Sequence, residues 1–414
     1  MPSSPAAPNP RAADDRPALV LANLGTPAEP SPTAVRFFLR EFLSDRRVIE
    51  MHPLLWRPVL EGVILRVRPR ASAAKYATIW RPGQVSRSGS PLMHYSERQG
   101  ELLQHELGES VQVRIAMRYG QPSLRRVMGD LMDAGCRRIA VIPLYPQYAA
   151  SASGTVIDEV ARFILASRNQ PELRTIRSFE ASPAYIEALA TALEQHWKIH
   201  GRPDPAAGEH LLLSFHSIPQ AMHDAGDPYR TECERTVELL TRRLDLPDGL
   251  ARLTFQSVFG PAAWIGPATI DTVDELGSAG CPRLDVICPG FFSDCLETLE
   301  EINQLNRETF TTAGGGSFHY IPWGNDSEGA IATLAEQARN VLTGWICARR
   351  PLAPPSVRCP VSARETTGPH RGNHCTGRYG DVNSPDSVRK SPCILSGGPS
   401  CPSRACSPVS PSCR

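Results

Sequence analysis

Residues 137–155 read RRIAVIPLYPQYAASASGT, and this stretch decides the fold class. An apolar run ends in a turn shaped by proline and glycine, which is typical of a buried strand that leads into a loop. The same pattern recurs in ALVLANL (18–24), VQVRIAM (111–117), LRTIRSF (173–179), HLLLSF (210–215), LDVICPGF (284–291) and SFHYIPW (317–323). We interpret all of these runs as buried strands.

Amphipathic helical patterns lie between the apolar runs. They include PTAVRFFLREFL (32–43), SLRRVMGDLMDAG (123–135), SPAYIEALATALEQHWKIH (182–200) and DCLETLEEINQLNRETF (294–310). Strands that alternate with helices predict βαβ units and parallel sheets, and therefore an α/β fold. Two repeats of this scheme fit the chain, so we expect an N-terminal lobe over 18–177 and a C-terminal lobe over 178–346.

The two ends of the chain differ from this pattern. Residues 1–17 lack the apolar segment of a secretory signal, and we expect a disordered lead and a cytoplasmic protein. Residues 347–414 are rich in proline, serine, arginine and glycine and have no periodicity. This composition predicts a low-complexity, disordered tail. Our hypothesis is that the tail is a non-functional extension.

Composition narrows the classes of function. The chain has 414 residues, of which 41% are hydrophobic and 21% charged, and its formal net charge is +1. These values fit a soluble two-domain protein and give no reason to expect nucleic acid as a partner. No apolar run is long enough to cross a bilayer, although contact with a membrane surface stays open. In a cytoplasmic protein we expect the twelve cysteines to be reduced.

Polar residues recur where the predicted strands end. GTP follows the first run, PQYAASASGT follows RRIAVIPLY, His216 follows HLLLSF, and FSDCLETLEE follows LDVICPGF. Ligands of open parallel sheets bind beyond the carboxyl ends of the strands, so we expect one cleft between the two lobes. His216 could ligate a metal or accept a proton there. The alternative is a histidine that only hydrogen-bonds the following loop.

Three carboxylates begin the helical pattern that follows LDVICPGF. Asp294, Glu297 and Glu301 are spaced i, i+3 and i+7, which places them on one face of an α-helix. They could bind a metal or carry protons away from a cleft. The alternative is a capping box, which explains Asp294 and Glu297 but not Glu301.

Aromatic residues could form a pocket for a flat apolar ligand. The helical pattern 32–43 carries Phe37, Phe38 and Phe42, for which a place in the core is the default. Tyr145, Tyr148 and the pair Arg118 and Tyr119 follow strands and could face the same space, where arginine would suit a ligand carboxylate.

Taken in order, these segments resemble ferrochelatases over nearly the whole stretch from Ala18 to Ile346. The matching segments are LVLANLGTP, VRFFLREFLSDRRVIE, KYATIW with GSPLMHYSERQ, AMRYGQPSL, IPLYPQYAASASGT, SFHSIPQ, TFQSVFGPAAWIGPAT and CPGFFSDCLETLEEINQLNRETF. The resemblance implies two Rossmann-like lobes around a porphyrin cleft. It also implies a lyase of heme biosynthesis that inserts ferrous iron into protoporphyrin IX and releases two protons.

The resemblance also implies roles for individual residues. His216 matches the histidine of the SFH motif, and Glu297 matches the glutamate of CLETLEE across the ring. As implied by the family, both are catalytic and metal-binding, while Asp294 and Glu301 form a path for protons or metal. The porphyrin-binding positions implied in the same way are Leu24, Arg118, Tyr119 and Tyr145.

The sequence departs from the family pattern at several positions. SFHS replaces the common SFHG, QSVFG replaces QSRFG, and PAT replaces PYT, which leaves Ser217, Val258 and Ala268 as the unusual residues. Some relatives hold a two-iron, two-sulfur cluster with three tail cysteines and one cysteine after YPQY. Cys401, Cys406 and Cys413 are present, but alanines follow YPQY. We therefore expect no such cluster and no other tightly bound cofactor.

Three other readings stay open from the sequence. One is a chelatase for coproporphyrin or for another metal such as cobalt. The second is a two-lobed binding protein without chemistry. The third is a damaged, inactive relative, which Val258 and the unusual tail suggest.

Overall fold

The computed structural model describes residues 16–81, 89–258 and 260–346. The predicted tail, its cysteines and nearly all of the predicted lead lie outside these residues. Within them, no helix combines the length and the apolar character needed to span a bilayer.

The first sheet is built from four parallel strands in the order β2-β1-β3-β4. The strands are β1 (Ala18–Asn23), β2 (Gln112–Met117), β3 (Arg138–Pro143) and β4 (Glu172–Thr175). All six residues of β1 are buried, because helices cover both faces of the sheet. The predicted run LRTIRSF is a strand only as far as Thr175.

The second sheet repeats this topology, with parallel strands in the order β6-β5-β7-β8. Its strands are β5 (His210–His216), β6 (Ala251–Gln256), β7 (Arg283–Ile287) and β8 (Ser317–Tyr320). The sequence analysis did not identify β6, because only its second half, Thr254–Gln256, is fully buried and apolar residues do not dominate it. The two sheets confirm the predicted α/β fold with parallel strands.

Twelve α-helices connect and cover the strands in the described part of the chain. They are α1 (Pro32–Leu43), α2 (Pro53–Val59), α3 (Leu65–Ile79), α4 (Pro91–Leu107), α5 (Leu124–Asp133), α6 (Thr155–Ala166), α7 (Pro183–His200), α8 (Gln220–Asp224), α9 (Tyr229–Leu244), α10 (Thr269–Ser278), α11 (Arg307–Ala313) and α12 (Glu328–Val341). Several begin at Ser-Pro, where the serine hydroxyl accepts from a first-turn N–H and proline occupies the first helical position.

Among the described residues, three π-helical segments interrupt this pattern. One, Leu60–Ile64, joins α2 to α3. The other two follow the third strand of each sheet, at Ala150–Gly154 after β3 and at Glu297–Asn306 after β7. The second of these replaces most of the α-helix that the sequence predicts over 294–310. Both lie on the side where the carboxyl ends of the strands meet, and π-helical turns are frequent at functional sites.

The largest buried apolar cluster contains residues of both sheets. It includes Leu19 of β1 and Leu213 of β5, and α7 and α12 pack against each other within it. The division at residue 178 falls between β4 and α7, and we retain it as a proposal for the boundary between the lobes. Because the two sheets share this core, their relative position is fixed. The residues at their carboxyl ends therefore line one preformed cleft.

Candidate active site

A cleft of about 530 Å³ opens where the central strands of both sheets end. Its wall is formed by the residues that follow β1, β3, β5 and β7, together with α1, α3 and the start of α4. The volume is typical of a small-molecule site, and most of the lining is apolar. The cleft lies where the sequence analysis expected it.

His216 is the last residue of β5 and lines the cleft. Its Nδ1 lies 2.5 Å from the carbonyl oxygen of Ser217. A carbonyl only accepts, so in the neutral tautomer that fits this bond Nδ1 carries the proton and Nε2 carries the lone pair. His216 therefore does hydrogen-bond the following loop, as the alternative interpretation of this residue expected. That bond also sets the tautomer that a base or metal ligand needs.

Glu297 begins the π-helix and lines the same cleft as His216. The helix has Leu296 as its N-terminal cap residue, and no side chain accepts from its first N–H groups. The capping box that the sequence allowed is therefore not formed. Capping does not explain Glu297, which instead presents a carboxylate to an apolar cleft.

Glu301 links these two residues electrostatically. Its carboxylate accepts hydrogen bonds from the backbone N–H and the hydroxyl of Ser257, at 2.7 and 2.5 Å. Burial raises the pKa of Glu301, and the charge of Glu297 raises it further, whereas the Ser257 bonds and His216 lower it. Glu301 is therefore a half-buried carboxyl that takes up a proton more readily than an ordinary glutamate.

Asp294 does not join Glu297 and Glu301 at the cleft. Its oxygens accept from Tyr320 Oη at 2.5 Å, Thr298 Oγ1 at 2.7 Å and Asn325 Nδ2 at 2.8 Å. The expectation of three carboxylates on one face fails, because the segment begins as a loop and continues with i to i+5 hydrogen bonds. Asp294 anchors the loop before the π-helix, and the geometry gives no support for a role in a proton or metal path.

Arg118 and Tyr119 lie behind the cleft wall and are not among its lining residues. The Arg118 guanidinium pairs with Asp45 and donates from Nε to the Thr155 carbonyl at 2.9 Å. The Tyr119 hydroxyl donates to the same aspartate at 3.0 Å. The sequence analysis expected Arg118 to bind a carboxylate of the ligand, but in the structure Asp45 supplies that carboxylate. The assignment of Arg118 and Tyr119 to porphyrin binding stays a prediction, and these contacts give it no support.

Tyr145 and Leu24 do line the cleft, as the resemblance implies. The Tyr145 hydroxyl is buried and has no hydrogen-bond partner among the described residues. Burial raises its pKa, so the side chain stays a neutral donor. A buried donor without a partner is costly, and a ligand acceptor in the cleft would satisfy it.

The aromatic residues of α1 divide between the cleft and the solvent. Phe38 and Phe42 line the cleft together with Leu39 and Leu43. Phe37 points away and is 63% exposed. The suggestion that part of this set forms an apolar wall is therefore correct, and a flat apolar ligand suits such a wall.

Comparison with known proteins agrees with this arrangement. The family model described as Ferrochelatase matches residues 16–342. The chain belongs to the ferrochelatase family. A ferrochelatase of Aromatoleum aromaticum is 50% identical over 343 residues, which cover 82% of this chain and 91% of the relative. A ferrochelatase of Dechloromonas aromatica is 46% identical over 331 residues, 79% of this chain and 88% of the relative.

Among solved structures, SirB from Bacillus subtilis with Fe3+ covers 79% of this chain and 95% of its own. The TM-score is 0.46 and the identity 12%.

The residues in which this ferrochelatase departs from the family pattern are accommodated locally. Ser217 is fully buried, and its hydroxyl donates to the Ile265 carbonyl at 2.8 Å. Val258 lies at the cleft and is exposed. Ala268 precedes α10 as its cap residue without a side-chain bond. None of the three displaces His216 or Glu297 from the cleft.

The sequence analysis missed several residues that line the cleft of this ferrochelatase. Tyr76 is half-buried, and its pKa is raised by desolvation and by the charge of Glu297. Lys75 pairs with Glu300 at 2.9 Å. The signal for Glu300 was its position next to Glu301 in the CLETLEE segment. Lys75 and Tyr76 lie in the quoted KYATIW segment, but nothing in the sequence places α3 against the π-helix.

Proposed function

We propose that this ferrochelatase inserts ferrous iron into protoporphyrin IX to form protoheme, with release of two protons. The single observation that carries the proposal is that His216, Glu297 and Glu301 line one apolar cleft. Iron is the substrate metal and stays ferrous throughout, so the reaction needs no oxidant or reductant. The reaction would be the last step of heme biosynthesis.

The catalytic roles follow from the protonation states. Metallation requires that the two pyrrole N–H groups lose their protons as iron enters the ring. We assign the first proton to Nε2 of His216, because the Ser217 carbonyl holds the proton on Nδ1. We assign the second proton to Glu297, from which Glu301 can take it over, since burial makes Glu301 a better proton acceptor.

The apolar wall supplies the remaining part of the mechanism. The nitrogen lone pairs of a flat porphyrin point into the ring plane, so a buckled ring lies closer to the transition state. Phe38, Phe42 and Leu24 lie along the cleft wall, where they could hold the macrocycle and exclude water. The Tyr145 hydroxyl is available to a polar group of the ligand.

Two substitutions test the catalytic roles. We expect His216→Ala and Glu297→Gln each to lower kcat by about 100-fold or more, because proton transfer by a positioned group contributes on that order. Porphyrin binding, followed by fluorescence quenching, should persist in both. His105→Ala, on the exposed end of α4, is the matched control and should metallate normally. Normal turnover of Glu297→Gln would refute its assignment as proton acceptor.

The same anaerobic assay decides between substrates. We expect ferrous iron to be inserted faster into protoporphyrin than into coproporphyrin. We also expect protoporphyrin to take up ferrous iron faster than cobalt. A preference for coproporphyrin or cobalt would identify a different chelatase. Porphyrin binding without any metallation would identify a binding protein or an inactive relative.

We also propose that the protein is cytoplasmic and contacts a membrane surface beside the cleft. Large apolar residues are exposed along α2, the following π-helix and α3, and other residues of α3 line the cleft. We name this apolar ridge by its residues, which are Met51, Leu54, Leu55, Val59, Val63 and Val67. Arginines lie between them, which suits anionic lipid headgroups.

Vesicle sedimentation tests this contact. The wild-type protein should bind anionic vesicles, and Leu54→Ser with Leu55→Ser should weaken binding severalfold without loss of metallation in detergent. Leu165→Ser with Ile199→Ser removes two residues that are 83% and 79% exposed outside the ridge, and should bind like the wild type. Equal binding of both double variants would refute the ridge as the contact.

A further inference from the structure

Three histidines meet on the second sheet, outside the cleft. His196 and His200 are one turn apart near the end of α7, and His319 lies in β8. The ring centroids of the three imidazoles lie 4.4, 4.7 and 4.9 Å apart. None of these residues lines the cleft, so the proposed metallation reaction does not use them.

A buried carboxylate completes the cluster. Asp285 of β7 is fully buried and is the register partner of His319 on the neighbouring strand. Its Oδ1 accepts from His319 Nδ1 at 2.9 Å and lies 3.8 Å from His196 Nε2. One ligand atom from each of His196, Asp285 and His319 lies within 4.8 Å of the other two.

Two features speak against a purely structural role for the cluster. His196 Nε2 is buried and has no hydrogen-bond partner among the described residues. The ring also lies beside those of His200 and His319, whose centroids are 4.4 and 4.9 Å away, so several imidazole nitrogens are close together. A structural cluster of three imidazoles would normally satisfy its buried nitrogens.

The surroundings define which cations can bind. Arg283 donates two hydrogen bonds to Asp285, at 2.9 and 2.8 Å, and Trp197 Nε1 donates a third at 2.8 Å. Because Arg283 offsets the carboxylate charge, the site would attract a cation mainly through imidazole nitrogens. Zn²⁺, Ni²⁺ and Cu²⁺ prefer such ligands, whereas Mg²⁺ and Ca²⁺ prefer oxygen.

We propose that His196, Asp285 and His319, with His200 at the rim, form a second metal site that binds a divalent transition ion such as Zn²⁺. Zinc holds nitrogen and oxygen ligands at about 2.0–2.2 Å, so binding would draw the three groups together by about 1 Å. The exposed His200 can supply a fourth ligand. A bound ion would join the end of α7 to the edge strand β8 and so stabilise the second lobe.

Zinc binding to the full-length protein tests the site by stoichiometry, because the cleft itself can take up metal. We expect isothermal titration to show that the double variant His196→Ala/His319→Ala binds about one Zn²⁺ per protein fewer than the wild type. The double variant should keep its metallation activity. His200→Ala, on an exposed position, should keep the fold and weaken the binding of this Zn²⁺ about tenfold. His105→Ala is the control and should bind as the wild type does.

Two further measurements guard against a folding artefact. Zn²⁺ should raise the melting temperature of the wild type and of His216→Ala, but not that of the double histidine variant. Without zinc, the circular dichroism spectrum of the double variant should match that of the wild type. Crystals soaked in zinc should show an anomalous peak between His196 and His319. Unchanged stoichiometry in the double variant together with unchanged zinc affinity in His200→Ala, or a peak in the cleft alone, would overturn the proposal.

Discussion

At the scale of single residues, a charged pair can look like a binding site in the sequence and be a structural element in the fold. Arg118 follows a strand, where an arginine could meet a ligand carboxylate. In the fold its partner is Asp45, and the side chains of the pair are 9% and 4% exposed. Asp45 also accepts from Tyr119, so one carboxylate fixes two side chains behind the cleft wall.

We predict that Asp45→Ala destabilises the protein by about 3 kcal/mol, because it leaves the buried charge of Arg118 without its partner. Urea denaturation followed by circular dichroism measures this change. The matched control is Glu61→Ala, which removes the partner of Arg40 from an exposed pair and should leave the unfolding midpoint unchanged. If Asp45→Ala had normal stability but had lost its affinity for porphyrin, the result would support a porphyrin-binding role for Arg118.

At the scale of elements, the π-helix Glu297–Asn306 decides which carboxylates share the cleft. An α-helix over this segment would place Asp294 on one face with Glu297 and Glu301. The π-helix keeps the two glutamates at the cleft and leaves Asp294 among Tyr320, Thr298 and Asn325. The shorter π-helix Ala150–Gly154 follows the equivalent strand of the first sheet and also lines the cleft.

Glu301 makes the stability of this element depend on pH. Its folded-state pKa is raised above the ordinary value of 4.5, so the protonated form is favoured in the fold. The stabilisation is therefore fully present below pH 4.5 and is lost as pH rises through the folded pKa. We predict that Glu301→Gln removes this loss, so its stability relative to wild type increases from pH 4.5 to pH 7.

Denaturant titrations at several pH values measure this difference. Glu300→Gln is the control, because Glu300 is the adjacent glutamate of the same helix and pairs with Lys75. It should not reproduce the pH dependence of the Glu301 variant. A constant difference between Glu301→Gln and wild type across this range would show that the residue titrates normally.

At the scale of the whole molecule, the folded body closes with the residues just before the predicted tail. Trp345 is buried, its Nε1 donates to Glu172 at 2.8 Å, and Arg174 stacks over its ring at 4.1 Å. Ile346 packs against the largest core cluster. These contacts attach the end of the second lobe to the edge strand β4 of the first sheet.

We predict that a chain ending at Ile346 keeps its fold and its metallation activity. A chain ending at Leu342 should be less stable by about 3 kcal/mol, because it loses a buried tryptophan. Thermal unfolding and anaerobic metallation of protoporphyrin measure both outcomes. Lost activity in the chain ending at Ile346 would show that residues 347–414 have a function and refute the hypothesis that they are an inert extension.

The sequence by itself determined the fold class, the cleft and the two residues proposed for catalysis. Apolar runs that end in polar turns specify parallel strands, because strand burial and turn chemistry are local properties. The strand β6 was not predicted, because its neighbours β5 and α9 bury it and its own composition is not that of a buried strand.

Only the tertiary structure decided which polar side chains face the cleft. Arg118, Tyr119 and Asp294 turned out to be partners of other protein groups, whereas Tyr76 and Glu300 reach the cleft. The same applies to the imidazoles of His196 and His319, which are 123 positions apart in the sequence. Hydrogen bonds and ion pairs between distant segments satisfy buried polar groups, and no local pattern specifies which partners will meet.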